Sequence, residues 1–182
     1  MLNKIIPYKQ SFSHSCLVAC FFMLLQKQKD FNFDEKTEKE ILIKGMRKIY
    51  PFYVVGIAKE VFNKFKTKIT IIVDNKYFTN SLIKSFKDKR SFNIIHKKIT
   101  IQLIKQLLKD KSLICHLDNN YLGNYSHCSH FVVLEKATDK KILLIDPFSG
   151  KKRFISDKKL EEAILSLKNY VKMCPLLYYL FN

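Results

Sequence analysis

Residues 10 to 25, Gln10-Ser-Phe-Ser-His-Ser-Cys16-Leu-Val-Ala-Cys20-Phe-Phe-Met-Leu-Leu25, carry the most information about the fold. Five polar residues and Phe12 lead to Cys16, and from there ten residues run without a polar break. That is about half of the roughly 20 apolar residues needed to cross a bilayer. It is also too apolar for a helix lying on a surface, so the stretch reads as a buried helix from Ser15 or Cys16 to about Lys27. Ser13 and Ser15 are the candidate caps for its first amides. A thiol therefore stands where a loop turns into a core helix. At such a place the partial positive charge of the helix start favours a thiolate over a thiol, whose free pKa is near 8.5. Gln10, six positions earlier, is close enough for its carboxamide to meet the Cys16 backbone amide around a developing oxyanion.

Working outward, Asp34 to Ile49 reads as a second helix, with Asp34, Glu35 and Glu38 at its start, Lys44, Arg47 and Lys48 at its end and Pro51 after it. Val54 to Phe65 places Ile57, Val61 and Phe65 on one helical face. The character then changes. Lys68 to Asp74 is a β-branched run of strand length, Tyr77 to Phe86 is helical, Phe92 to His96 is a short strand and Ile99 to Leu108 an amphipathic helix. Leu113 to Leu117, His130 to Lys136, Lys141 to Asp146 and Pro175 to Phe181 read as strands, with a helix over Asp157 to Leu167. The expected fold is α+β, a helical N-terminal half packed on a mainly antiparallel sheet, with residues 1–182 forming a single domain.

Composition narrows the function. With 182 residues and 47% hydrophobic content the chain can bury a core without metal or disulfide support. The five cysteines, at 16, 20, 115, 128 and 174, are odd in number and scattered. No signal peptide is visible at Met1 to Ile6, so free thiols in a cytoplasmic, reducing compartment are expected. The net charge of +17 points to an anionic partner or simply to a solvated lysine surface. Of 33 basic residues only Arg47, Arg90 and Arg153 are arginine, which argues against specific nucleic-acid recognition.

A thiol nucleophile needs a base, and His130 opens the strand His130-Phe-Val-Val-Leu-Glu135. A hairpin turning at Thr138 to Lys140 would return Asp146, at the head of Asp146-Pro-Phe-Ser-Gly150, to the side of His130. A carboxylate there holds the imidazole in one tautomer and stabilises its charged form. Asp118 is the alternative orienter. Cys20, one turn after Cys16, reads as core; His14 and His127 as exposed loop residues; and His96 and His116 carry no motif. The competing constellation is Cys115-His116 with His127-Cys128 and His130, whose residue types suit zinc. Its spacing does not, because adjacent residues of a strand point to opposite faces.

At Gln10, Cys16, the His130-Phe-Val-Val strand and the Asp146-Pro-x-x-Gly150 turn the sequence resembles the bacteriocin-processing, double-glycine leader cysteine peptidases of the papain-like superfamily. The order and spacing agree over nearly the whole chain. Ser15, Leu17 and Ser129 stand where members commonly carry an acidic residue, a glycine and a glycine. The resemblance implies a papain-like fold in a free-standing form and a peptide or protein substrate. It implies no cofactor and no metal. It also implies catalysis by Cys16 as nucleophile, His130 as base, Asp146 as orienter and Gln10 as oxyanion donor. Two other classes stay open: a catalytically silent peptide-binding module of the same fold, and another thiol acyl-transfer enzyme of the transglutaminase or deamidase kind.

Overall fold

A computed structural model describes residues 4–26, 33–47, 52–85, 92–123 and 126–181. The predicted ends at Lys27, Ile49, Pro51 and Phe86 lie outside those residues. Helix α1 spans Cys16–Leu25, and of its ten residues only Cys16 is not buried. It is a core helix, apolar all round, as the sequence requires. Helices α2 (Glu35–Met46) and α3 (Tyr53–Phe65) pack against it. The two approach so closely that a Cβ on Gly45 would lie 2.6 Å from Ile57 Cγ1 and 2.7 Å from Ile57 Cα, a contact only glycine tolerates.

Strand β1 (Ile69–Val73), helix α4 (Lys76–Ser85), strand β2 (Phe92–His96) and helix α5 (Ile101–Leu107) follow. After them come β3 (Leu113–Asp118), a 3₁₀ turn (Asn119–Leu122), β4 (Ser129–Ala137), β5 (Lys141–Asp146), β6 (Lys151–Ser156), α6 (Asp157–Asn169) and β7 (Leu176–Leu180). All seven strands form one sheet in the order β2-β1-β7-β3-β4-β5-β6, with β1 and β2 parallel and the other neighbours antiparallel. The mainly antiparallel α+β expectation holds.

The layering is richer than a helical half in front of a sheet. On one face Ile114, Phe131, Val133, Ile145 and Tyr178 join the side chains of α1 and α3 in a core. On the other, Leu113, Cys115, Leu117, Val132, Leu134 and Leu144 join those of α5 and α6. With both faces covered, β3 is buried at all six positions. That double burial explains why its sequence is an apolar run rather than an alternation. Strand β6 escapes the sequence reading for the opposite reason. It is an edge strand, Lys-Lys-Arg-Phe-Ile-Ser, with only Ile155 buried, and its charges suit an edge that must not pair further.

Candidate functional site

Phe21 of α1 meets Tyr178 of β7 edge to face at 5.6 Å, and Tyr178 meets Phe131 of β4 at 6.0 Å. This aromatic chain seats α1 on the sheet so that its first residue, Cys16, comes beside the first turn of β4. Cys16, Gln10, Ser13, His14, Asn119, Cys128, Ser129, His130, Phe131 and Phe148 all belong to one cleft of about 460 Å³. Residues 10–17 and 119–148, far apart in sequence, are thus brought together at the amino end of a core helix.

His130 pairs with Leu117 in the sheet, and its Nε2 lies 2.9 Å from Asp146 Oδ1. The hairpin that returns Asp146 closes where expected, with the Thr138 amide donating to the Lys141 carbonyl. Asp146 is 2% exposed and also accepts from the Phe148 amide at 2.9 Å and the Ser149 hydroxyl at 3.0 Å. Burial works to raise its carboxyl, but the bonds from His130, Phe148 and Ser149 hold it below its ordinary range. Burial likewise works against a charged His130. Hydrogen bonds with Asp146 and with Cys16, and the charges on both, more than offset it and push the imidazole up to about 9. The predicted Cys16, His130 and Asp146 are therefore brought together, His130 bonded to Asp146 and sharing its cleft with Cys16.

Gln10 is in the same cleft, but its Nε2 donates to the Phe12 carbonyl at 2.7 Å and the Ser13 carbonyl at 3.2 Å. Its Oε1 is buried without a donor. The loop that carries it is held from two sides. The Gln10 amide donates to the Pro147 carbonyl at 2.8 Å. Gly150, at φ +65°, passes so close to Lys9 that a Cβ there would lie 3.1 Å from the lysine Cβ. From the other side comes Glu38, fully buried in α2, which accepts from Tyr8 Oη at 2.8 Å and from the Ser11 amide at 3.0 Å. Sequence reasoning treated Glu38 only as a helix-start charge. Nothing local to it signals a partner 30 residues away.

The expected serine cap of α1 is absent. Ser15 occupies the cap position, but its hydroxyl donates to the Phe12 carbonyl at 2.8 Å and accepts from the Phe12 amide at 3.2 Å. In contrast Asp34, Thr100 and Ser156 each cap their helices through the side chain. No side chain caps the first amides of α1.

The other candidates go elsewhere. Asp118, completely buried, accepts from His127 Nδ1 at 2.6 Å and not from His130, so it is no substitute for Asp146. Cys115 belongs to the α5–α6 core, and burial pushes its thiol up to about 12. His116 is buried and stacked on Phe131 at 4.2 Å. Its Nδ1 lies 3.1 Å from the Cys174 carbonyl and its Nε2 2.7 Å from Ser129 Oγ. Burial takes it down to about 3, so it is a neutral prop behind the cleft wall, a role that its sequence context did not show. Among the described residues no three His, Cys, Asp or Glu side chains are grouped to hold a metal ion. Cys20 is core, as expected.

No curated protein matches this sequence. Among solved structures, a C39-like peptidase from Bacillus anthracis superposes with a TM-score of 0.59 over 97% of this chain and 95% of its own, at 13% identity. The shared fold is the papain-like one. The family model for peptidase C39 matches residues 68–164, more than half of the chain, a span that holds His130 and Asp146. The chain thus belongs to the peptidase C39 family.

Proposed function

We propose that residues 1–182 act as one papain-like cysteine peptidase domain, cleaving a peptide bond in a peptide or protein, with Cys16, His130, Asp146 and Gln10 as its machinery. The observation that carries this reading is His130, which bonds to Asp146 and shares one cleft with Cys16, more than a hundred residues earlier. Because Nε2 is spent on Asp146, Nδ1 is the ring nitrogen left for the sulfur.

The proton of Cys16 passes to Nδ1, and the sulfur attacks the substrate carbonyl carbon as the carbonyl electron pair moves onto oxygen. That oxygen collects hydrogen bonds from the Cys16 backbone amide and from Gln10 Nε2. Gln10 exchanges its longer bond, to the Ser13 carbonyl, for a charged acceptor, which binds roughly twice as strongly as a neutral one. As the oxyanion collapses, the C–N bond breaks and the departing amine takes the proton from His130. A water then gives a proton to His130 and attacks the thioester, and the sulfur leaves with that proton restored. Asp146 keeps the ring in position throughout. Leader peptides, the substrates of the resembling peptidases, are the first to try.

The test is alkylation by iodoacetamide at neutral pH, followed by mass spectrometry. Cys16 should react well ahead of the other four thiols. Burial pushes Cys174 up to about 11 and Cys115 to about 12, and Cys20 is fully enclosed. The advantage should vanish in His130→Ala. Equal, slow labelling of all five would remove the enzyme reading.

A further inference from the structure

The wall of the Cys16 cleft beside His130 contains a carboxamide whose oxygen has no donor. Asn119 is 8% exposed and lines the cleft beside Cys128, Ser129 and His130. Its Oδ1 is buried and meets no donor.

The surroundings make this conspicuous, because the groups next to it are hydrogen-bonded. The Asn119 amide donates to the Cys128 carbonyl at 2.9 Å. Asp118, next to it, accepts from Asn120 N at 3.1 Å, Cys128 N at 3.2 Å, His127 Nδ1 at 2.6 Å and Ser166 Oγ at 2.5 Å. A buried amide left unsatisfied in such a setting destabilises the fold and calls for a reason. A peptide group, which presents one N–H and one C=O, matches a carboxamide on both counts.

We propose that Asn119 binds the substrate main chain on the leaving-group side of the scissile bond. The side follows from the chemistry. His130 must hand its proton to the departing amine, so the segment beyond the cut lies along the wall that His130 shares with Cys128 and Asn119. This rests on the peptidase reading above and adds to it a positioning residue and a substrate class. Substrates continue as peptide past the cut, and they are held there through backbone rather than through a particular side chain.

Two substrates and two variants test it. A peptide found in a library digest by the wild-type protein is compared with its truncated form, in which an aminocoumarin amide replaces everything after the cut. For Asn119→Ala and Asn119→Leu, kcat/KM on the full peptide should fall about tenfold, a typical loss for one hydrogen bond. On the truncated substrate it should stay within twofold. Asn119→Leu, which replaces an unsatisfied amide by an apolar group of similar size, should melt no lower than wild type. Equal losses on both substrates would make Asn119 merely structural, and no loss on either would leave it without a substrate role; each overturns the proposal while the peptidase reading stands. A wild-type protein that cleaves neither substrate, with Cys16 unlabelled, overturns both.

Discussion

Two His–Asp pairs have histidines three residues apart in the sequence, and only one of the two is buried on both sides. His130 and Asp146 are 7% and 2% exposed, whereas His127 is 43% exposed above a completely buried Asp118. Both carboxylates are held below their ordinary range by hydrogen bonds, from the histidine and its neighbours, that outweigh the effect of burial. What differs is the other side of the ring. His130 faces the Cys16 thiol in a cleft, while His127 stacks on Tyr170 at 4.9 Å, open to water. A buried carboxylate behind a histidine is thus a general device for fixing a loop. It becomes a proton-transfer device only where a nucleophile meets the second nitrogen in a desolvated place.

The sharpest way to separate the pairs is to disarm each carboxylate. Asp146→Asn should lower kcat/KM on a cleaved peptide on the order of 10³-fold, the scale of a general acid–base contribution and far more than its loss of stability accounts for. Asp118→Ala should do the reverse. It leaves the amides of Asn120 and Cys128, the Ser166 hydroxyl and His127 without their acceptor, and should cost about 3 kcal/mol of stability by denaturant titration. Its effect on turnover, measured well below the melting point, should be far smaller than that of Asp146→Asn. Matching activity losses would erase the distinction.

The pairs also divide by pH. His130 is raised from its ordinary 6.5 to about 9. Its contribution to stability is therefore complete below about 6.5 and lost as pH climbs through 9. The carboxylates behave oppositely: both are depressed, so their contributions hold above the ordinary carboxylate range and fade as pH falls below it. On the proposed mechanism His130 carries a proton to release the amine, so kcat/KM should decline on the alkaline side near 9. In Asp146→Asn burial is no longer offset by the carboxylate, and that decline should move to lower pH. A limb that stays at 9 in the variant would mean that Asp146 does not set the ring's charge.

Much of this was legible in the sequence, and what was not has a common cause. The ten-residue apolar run from Cys16 marked a core helix, and the turn at Thr138 to Lys140 between two strand-like runs marked the hairpin that returns Asp146, because both are local patterns of burial and backbone. The meeting of Cys16, His130 and Asp146 followed from those local elements together with the family order. Long-range polar pairings did not follow. The bond of Glu38 to Tyr8 and Ser11, the retreat of Ser15 from its cap and the commitment of Gln10 to Phe12 and Ser13 each depend on where a loop settles once its helices have packed. The isolated amide of Asn119 is invisible in sequence for the same reason: an asparagine after a strand looks like any turn residue until the hydrogen bonds around it are counted.

The smallest effect is expected at His127 itself. Its ring is largely solvated, and an ion pair that open to water contributes under about 1 kcal/mol. Asp118 keeps three other donors when the imidazole is removed, so the corner from Asn119 to Cys128 should hold its shape. His127→Ala should therefore leave kcat/KM within about twofold and lower the melting temperature only slightly, in contrast to the collapse of Cys16 labelling in His130→Ala. The two alanine variants remove the same atoms from positions three residues apart, each ring bonded to a buried aspartate. A large loss of turnover in His127→Ala would mean that the exposed ring, not burial beside a thiol, is where the proton moves.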